Sequence, residues 1–523
     1  ANTLWLHAET LVSSAVDLDL FVGRDTNGDR VAQENEELCS STTPDDLELC
    51  DLFTPEPGEY WVLVQNWDDT LTLDDVTLVS AVVARDTSSM VATGAGIIDA
   101  NEAHTVRVSW DNVNAAPGSE LLGAVGLGTD RNNVNNIGII PVRYTRTGIE
   151  APETLVLMDG VGRGFALAGN AEHNMAYVDV PPGTDTLTVS AFGADETQNN
   201  NLSIELYRME FVDALLSAPF ATAPDTSGAP QGSATGSGGN GPTVVVPGSV
   251  TPGRWYAVVQ NASGDPASVT LTASMSYSGT PIEFRPGLWE PVGVRLGIKQ
   301  GYDYATDTAN RSMLWYTYTE DGTPTWYLAA GAEPVGNVWK ARLKRFTNDG
   351  TLQQRVEVGW VSITAVDEDN SIYSFTLFGD EGSDLIYNPF HPILCPTIEG
   401  VKKGYHGVWS RTNVGVGGAT VGVFPTSQGY VHYIYDDNGN PVWIQGATTP
   451  ATEPQMNLRQ WSGFCPVCTG PTPTKLPMGT FTRNFLDEDS MTWTLDYELL
   501  PPLTGTINRT DDTIKLTAQL ECQ

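Results

Sequence analysis

Two ten-residue stretches share one pattern: PGEYWVLVQN at residues 57–66 and PGRWYAVVQN at residues 252–261. In each stretch a Pro-Gly turn is followed by alternating side chains, which is typical of a strand with one face in a core. A pattern of this length that occurs twice indicates a duplicated all-β domain.

An earlier strand pair also recurs. TLWLHA at 3–8 and DLDLF at 17–21 match TLTVSA at 186–191 and NLSIELY at 201–207. Together the two recurring blocks predict two copies of one β-sandwich, jelly-roll-like or immunoglobulin-like, at residues 1–84 and 150–280.

The second copy has an extra strand, AYVDVPPG at residues 176–183, before the shared pair. The first copy has no room for this strand, since its matching pair begins at residue 3. We therefore expect the first sandwich to lack its first strand. An upstream piece of the protein or a neighbouring chain would supply it.

Two further segments belong to this half of the chain. Residues 85–149, with HTVRVSW at 104–110 and IIPVRY at 139–144, predict a small immunoglobulin-like or fibronectin-like domain. Residues 224–242 are rich in Gly and Ser, a composition typical of linkers. They are predicted to be an insertion in the second sandwich.

The C-terminal half contains another repeat, with a period near 120 residues. YTEDGTPTW at 318–326 matches YDDNGNPVW at 435–443, and each has a hairpin signal between aromatic residues. This predicts two antiparallel β domains, at residues 281–400 and 401–523, each a meander of six to eight strands.

The charge of the chain is strongly acidic, with 64 Asp and Glu against 27 Lys and Arg and a net charge of −37. Such a surface repels nucleic acid, which is bound through clustered Lys and Arg. No stretch approaches the roughly 20 apolar residues that span a bilayer. The partner classes that we expect are therefore other copies of the chain, an upstream catalytic domain, or a surface polysaccharide or protein.

The cysteines favour an oxidising compartment and structural disulfides. Cys39 and Cys50 flank a short polar loop and are expected to pair. The other four, for which three pairings are open, are Cys395, Cys465, Cys468 and Cys522. Cys465 and Cys468 have the spacing of a redox or half-zinc motif, but a second ligand pair and a βαβ context are both missing.

Residues 25–36 have the spacing of a calcium-binding loop, with oxygen donors at positions 1, 3, 5, 9 and 12. These donors, the candidate Ca²⁺ ligands, are Asp25, Asn27, Asp29, Gln33 and Glu36. Position 6 is Arg30 instead of Gly, and the preceding segment is a strand instead of a helix. The alternative is an acidic hairpin loop next to the Cys39–Cys50 disulfide.

Aromatic residues follow both hairpin signals of the C-terminal repeats: Trp326 with Tyr327, and Trp443. Exposed aromatic rings bind sugars or peptides and anchor interfaces. The alternative is that these rings fill the cores of the repeats.

The first 280 residues resemble the C-terminal accessory region of secreted bacterial subtilisin-like proteases. Residues 17–21, the Cys39 to Cys50 loop and residues 57–64 together resemble the bacterial pre-peptidase C-terminal domain. The C-terminal repeats resemble repeats of large secreted gammaproteobacterial proteins. The resemblance implies a secreted appendage that binds a surface or supports a partner domain, with calcium sites in some members.

Catalytic motifs are missing from the sequence: it has no Gly-x-Ser-x-Gly elbow, no His-Glu-x-x-His and no subtilisin-like nucleophile segment. The first hypothesis is therefore a non-catalytic extracellular binding or scaffolding region of a larger secreted bacterial protein, stabilised by calcium. The second is a structural subunit of an extracellular fibre or surface layer, assembled by strand donation. The third is a secreted hydrolase with a paired-carboxylate site.

Overall fold

A computed structural model gives the fold of the chain. It describes residues 3–68, 73–85, 90–98, 100, 103–110, 119–130, 133–145, 154–211, 224–292, 300–306, 311–348, 350, 353–389, 393–412, 417–468, 470, 472–517 and 522. Strands make up nearly all of the regular structure, which confirms the all-β class. The chain divides into two compact units, residues 1–90 with 117–148, and residues 91–116 with 149–523.

The first unit contains a sandwich of two three-stranded sheets, with strand orders β4-β1-β6 and β3-β2-β5. Alternate residues of the strands, such as Leu6, Leu20 and Val22, form its core. A short 3₁₀ helix, Glu34–Glu36, precedes the third strand. The strands are β1 (Thr3–Ser13), β2 (Asp17–Asp25), β3 (Glu37–Ser41), β4 (Leu49–Phe53), β5 (Glu59–Asp68) and β6 (Val76–Ala84).

Residues 85–149 contain two separate two-stranded sheets, β7 (Met90–Thr93) with β8 (Arg107–Trp110), and β9 (Glu120–Leu127) with β10 (Gly138–Thr145). The boundary between the two compact units falls inside this stretch. Among the described residues it does not form the single small domain predicted from the sequence.

The β9–β10 hairpin belongs to the first unit and contacts β1 through polar groups. Arg143 on β10 forms ion pairs with Glu9 of β1 and with Glu120 of β9. The buried ring of His7 lies 3.1 Å from Arg143 through Nε2 and 2.8 Å from Asp51 through Nδ1. The charges of this contact are thus paired where the hairpin covers the sandwich.

From residue 149 onward the second unit starts with a sandwich of a five-stranded and a four-stranded sheet. Their strand orders are β11-β13-β18-β15-β16 and β12-β19-β14-β17. It includes one short helix, α1 (Glu196–Asn201), whose N-cap Asp195 accepts a hydrogen bond from the Gln198 N–H. The strands are β11 (Leu155–Val156), β12 (Arg163–Leu167), β13 (Glu172–Val180), β14 (Thr184–Phe192), β15 (Leu202–Met209), β16 (Gly232–Thr235), β17 (Thr243–Pro247), β18 (Gly253–Asn261) and β19 (Ala267–Tyr277).

The Gly/Ser-rich stretch 224–242 is part of the second sandwich and supplies a strand to it. Its residues 232–235 form β16, which pairs with β15. In the first sandwich β3 has the same place next to β2. The stretch therefore contains an edge strand with flanking loops.

Two closed eight-stranded antiparallel barrels follow. The first contains β20 (Gly287–Pro291), β21 (Gly301–Thr306), β22 (Arg311–Tyr318), β23 (Pro324–Gly331), β24 (Val338–Asn348), β25 (Gln353–Ala365), β26 (Asn370–Leu377) and β27 (Asp380–Tyr387). A small hairpin of β28 (Thr397–Ile398) and β29 (Val401–Lys402) precedes the second barrel. That barrel contains β30 (Gly407–Arg411), β31 (Gly418–Val423), β32 (Gln428–Tyr435), β33 (Pro441–Thr448), β34 (Gln455–Ser462), β35 (Thr474–Phe485), β36 (Ser490–Glu498) and β37 (Thr506–Lys515).

The two barrels contact each other through a reciprocal pair of tryptophans. The indole N–H of Trp326 donates to the Ile434 carbonyl at 3.2 Å, and that of Trp443 donates to the Thr317 carbonyl at 2.7 Å. Trp326 and Trp443 occupy equivalent positions in the two sequence repeats, and so do Thr317 and Ile434. The interface therefore has an approximate two-fold symmetry.

Candidate functional site

The edges of the first sandwich differ from those of the second. In the second sandwich β18 pairs with both β13 and β15, and β19 pairs with both β12 and β14. The equivalent strands of the first sandwich, β5 and β6, each pair on one side only among the described residues, with β2 and β1. Each therefore presents a row of free backbone N–H and C=O groups, which can pair with an added strand.

The side chains next to these edges are apolar and exposed although they face the sandwich interior. Val82 lies opposite Leu6 of the core and is 64% exposed, and Leu78 on the same face is 41% exposed. The equivalent residues of the second sandwich, Ala273 and Val269, are both 0% exposed. The interior of the first sandwich is thus open on the side where β12 and β13 close the second.

The sequence carried an indirect signal of this open side. The second copy has the predicted strand at 176–183, which overlaps the end of β13, and the first copy does not. The role of β12 was not foreseen, because its short sequence RGFAL gives no clear period. The structure shows that both strands, one for each sheet, cover the same core.

The predicted calcium loop is held by hydrogen bonds from its own backbone. Asp25 accepts from the N–H groups of Gly28 at 2.6 Å and Arg30 at 2.9 Å. Asn27 accepts from Asp29 N–H, and Asp29 from Val31 N–H, both at 2.8 Å. The loop is therefore tightly turned, with its oxygen-bearing side chains directed inward.

Position 6 of this loop has the backbone conformation that calcium loops require. Arg30 has a φ of 59°, in the left-handed region that Gly usually occupies there. Burial raises the pKa of Asp25, but hydrogen bonds from backbone N–H groups, with that of Arg30 the strongest, lower it by more. The net shift of the pKa is therefore downward. Hydrogen bonds from Thr26 likewise lower the pKa of Glu36. Both carboxylates thus favour the ionised form that a cation needs.

The two remaining candidate ligands differ in their positions. Gln33 donates through Nε2 to Asp29 at 2.5 Å, so its amide lies against the loop. Glu36 is buried and accepts from Thr26 N–H at 2.7 Å and from Trp61 at 3.3 Å. No group of three or more His, Cys, Asp or Glu side chains in the described chain is arranged to hold a metal ion. A cation here would need the amide and backbone oxygens as well.

All six cysteines lie in disulfides. Cys39 pairs with Cys50 and links β3 to β4, which belong to opposite sheets of the first sandwich. The C-terminal pairs are Cys395 with Cys522 and Cys465 with Cys468. Of the three open pairings, the structure therefore selects the one that joins the two ends of the second barrel domain.

The three predicted ligand-facing aromatics are all buried. Trp326 and Trp443 fill the interface between the barrels, so packing, the alternative considered for them, is what the structure shows. Tyr327 is also buried but lines a cleft of about 370 Å³ at the first barrel. Of these three residues, Tyr327 lines a cleft among the described residues.

This cleft also contains polar groups that the sequence did not indicate. Arg107 pairs with Glu320 at 2.7 Å across its rim. The buried hydroxyl of Tyr318 has no hydrogen-bond partner among the described residues. Burial raises the pKa of Asp380, with Arg107 opposing and Glu320 adding to the shift. The cleft is therefore lined by both charged and aromatic groups.

No protein-family model matches the sequence, and no curated protein matches it. In the described part of the chain, none of the helices has the length and apolar character needed to cross a membrane.

Proposed function

We propose that this chain is a non-catalytic scaffolding region of a larger extracellular protein, and that an added strand pair completes its first sandwich. The observation that carries the proposal is the pair of open edges on β5 and β6, with apolar interior side chains beside them. Disulfides and an all-β fold are compatible with an extracellular location.

The second sandwich indicates what the added segment looks like. Its β12 and β13 are separated by four residues, and β12 extends one sheet while β13 extends the other. Because strand pairing supplies main-chain hydrogen bonds and apolar burial together, a segment of this pattern would match both open edges.

The source of the segment that we propose is the polypeptide preceding β1 in the larger protein. In the second sandwich β13 ends at Val180 and β14 begins at Thr184, so the completing strands come directly before the repeat. The same order in the first sandwich would place them directly before Thr3. A strand pair donated by a second copy of the chain is the alternative that would build a fibre.

Val82→Lys is expected to act differently in the isolated chain and in the longer native protein. In the chain of residues 1–523, Val82 is exposed, so the free energy of unfolding should change by no more than about 0.5 kcal/mol. In the completed sandwich the lysine would be buried without a partner and should cost about 3 kcal/mol or more. Urea unfolding of both proteins measures the difference.

The matched control is Val335→Lys in the second unit, since Val335 is also 64% exposed. It should change stability by no more than about 0.5 kcal/mol in both proteins. Equal effects of Val82→Lys in the two proteins would contradict the proposal. If Val82→Lys destabilises only oligomers of the 1–523 chain, a second copy of the chain donates the added strands.

We also propose that Ca²⁺ binds the loop at residues 25–36 and stabilises the first unit. At a concentration 100-fold above its Kd the ion should add about 2.7 kcal/mol to the free energy of unfolding. Thermal unfolding with Ca²⁺ and with a chelator tests this, and Glu36→Gln should abolish the difference. Identical unfolding temperatures with ion and with chelator would exclude calcium.

A further inference from the structure

The contact between the two barrels contains a buried carboxylate. Asp303 of β21 is 2% exposed, and it accepts a hydrogen bond from the hydroxyl of Thr420 on β31 of the other barrel. In the first barrel Asp303 lies opposite Leu314. In the second, Thr420 lies opposite Val431, the residue equivalent to Leu314. Asp303 and Thr420 therefore occupy equivalent positions, and their hydrogen bond lies at the approximate two-fold axis of the interface.

This carboxylate has no basic partner in the part of the chain that the structure describes. There it accepts only from Thr420, and no Lys, Arg or His nitrogen pairs with it. The Thr420 hydroxyl also lies 2.8 Å from the hydroxyl of Tyr433, which is buried as well. A buried carboxylate that is ionised and has no counter-charge costs far more free energy than its neutral form.

A cavity of about 160 Å³ between the barrels shows which other titratable groups lie nearby. Besides Asp303, its lining includes Glu290 of β20, Tyr316 of β22, and His406 and Tyr430 of the second barrel, but no described Lys or Arg. Burial lowers the pKa of His406 to about 4, so its ring is neutral at higher pH. Burial raises the pKa values of the three tyrosines, Tyr316, Tyr430 and Tyr433. None of these groups therefore supplies a positive charge near neutral pH.

The proton affinity of Asp303 then depends on whether the barrels are packed together. Burial raises the pKa of Asp303 from 3.8 to about 6, although the hydrogen bond from Thr420 opposes the shift. If the barrels separate and water reaches the carboxyl group, its pKa returns towards the ordinary value. The resulting stabilisation of the packed state is complete below about pH 4 and is lost as the pH rises through about 6.

We infer that the contact between the two barrels is stabilised by acid: the barrels stay packed while Asp303 is protonated, and they separate more readily once its carboxyl group ionises. The fold does not require an acid here, since the equivalent residue of the second barrel is the neutral Thr420. Asp303 thus adds a dependence on pH that packing alone would not give. This inference does not depend on how the first sandwich is completed.

The test is hydrogen exchange of the indole N–H groups of Trp326 and Trp443, measured by NMR on the 523-residue chain. Both groups donate across the barrel contact, so they exchange when the barrels separate. The matched variant is Asp303→Asn, which keeps an acceptor for Thr420 but cannot ionise. Between pH 5 and pH 8, protection corrected for the intrinsic exchange rate should fall about tenfold more in the unmodified chain than in the variant. An equal fall in both proteins would overturn the inference.

The control variant is Asp384→Asn, another buried acid of the first barrel. Its carboxylate accepts from Gln300 and Tyr302 of the same barrel and does not line the cavity. It should keep the pH dependence of the unmodified chain. A ¹³C NMR titration of the Asp303 carboxyl group tests the inference without any substitution. Titration of that group near pH 6 is expected, and titration near pH 4 would contradict the inference.

Discussion

Asp179→Ala is expected to lower the free energy of unfolding by about 3–5 kcal/mol, because it leaves a buried guanidinium without its partner. Arg254 donates to both carboxylate oxygens of Asp179, at 2.8 and 2.9 Å, and both side chains are buried. The guanidinium also lies 3.8 Å from the centroid of the Tyr177 ring. Ser374 of the first barrel donates to the same carboxylate at 3.2 Å, so the pair also links the sandwich to the barrel.

Chemical denaturation of the variant measures this effect, and two controls define its cause. Replacing both partners with apolar residues, as in Asp179→Leu with Arg254→Met, should recover most of the loss. Removing the exposed pair of Arg30 and Glu59, 3.8 Å apart, should cost no more than about 1 kcal/mol. A loss of that small size in Asp179→Ala would mean that the buried pair contributes little to stability.

Cys395→Ser is expected to cost about 5 kcal/mol, since the Cys395–Cys522 disulfide joins residues 127 positions apart. In the chain-entropy model a long closed loop restricts the unfolded chain most. The Cys395–Cys522 bond joins the two ends of the second barrel domain. When this disulfide is removed, we therefore expect the core of the second barrel to unfold before the rest of the chain.

Thermal unfolding of Cys395→Ser and of Cys522→Ser, followed by tryptophan fluorescence, tests this expectation. The matched control is removal of the Cys465–Cys468 disulfide, whose separation is only 3, and which should cost about 2 kcal/mol. Equal losses from the two disulfides would contradict the loop-length explanation.

Short strands between turns were enough to predict an all-β chain, and the repeats located related strands in each half. Closure of the C-terminal repeats into barrels was not predicted, because turn spacing reports strand number but not whether the last strand pairs with the first. The division of residues 85–149 between two units was also missed. A sequence pattern shows where strands occur and not which neighbour each one packs against.

The candidate sites show the same limit. Trp326 and Trp443 follow exposed hairpin turns, and only the tertiary contact between barrels reveals that their rings are buried. His432 received no interpretation from the sequence, because a lone histidine in a strand has no diagnostic spacing. In the structure its ring is buried inside the second barrel, 4.5 Å from the ring of Phe481 and 5.2 Å from that of Trp493.

Whether added strands complete the first sandwich can be seen in a cryo-electron microscopy reconstruction of the native protein. We predict two additional strands, one hydrogen-bonded to β5 and one to β6, covering Leu78 and Val82. A reconstruction in which both edges face solvent and these side chains are exposed would contradict completion of the sandwich by added strands.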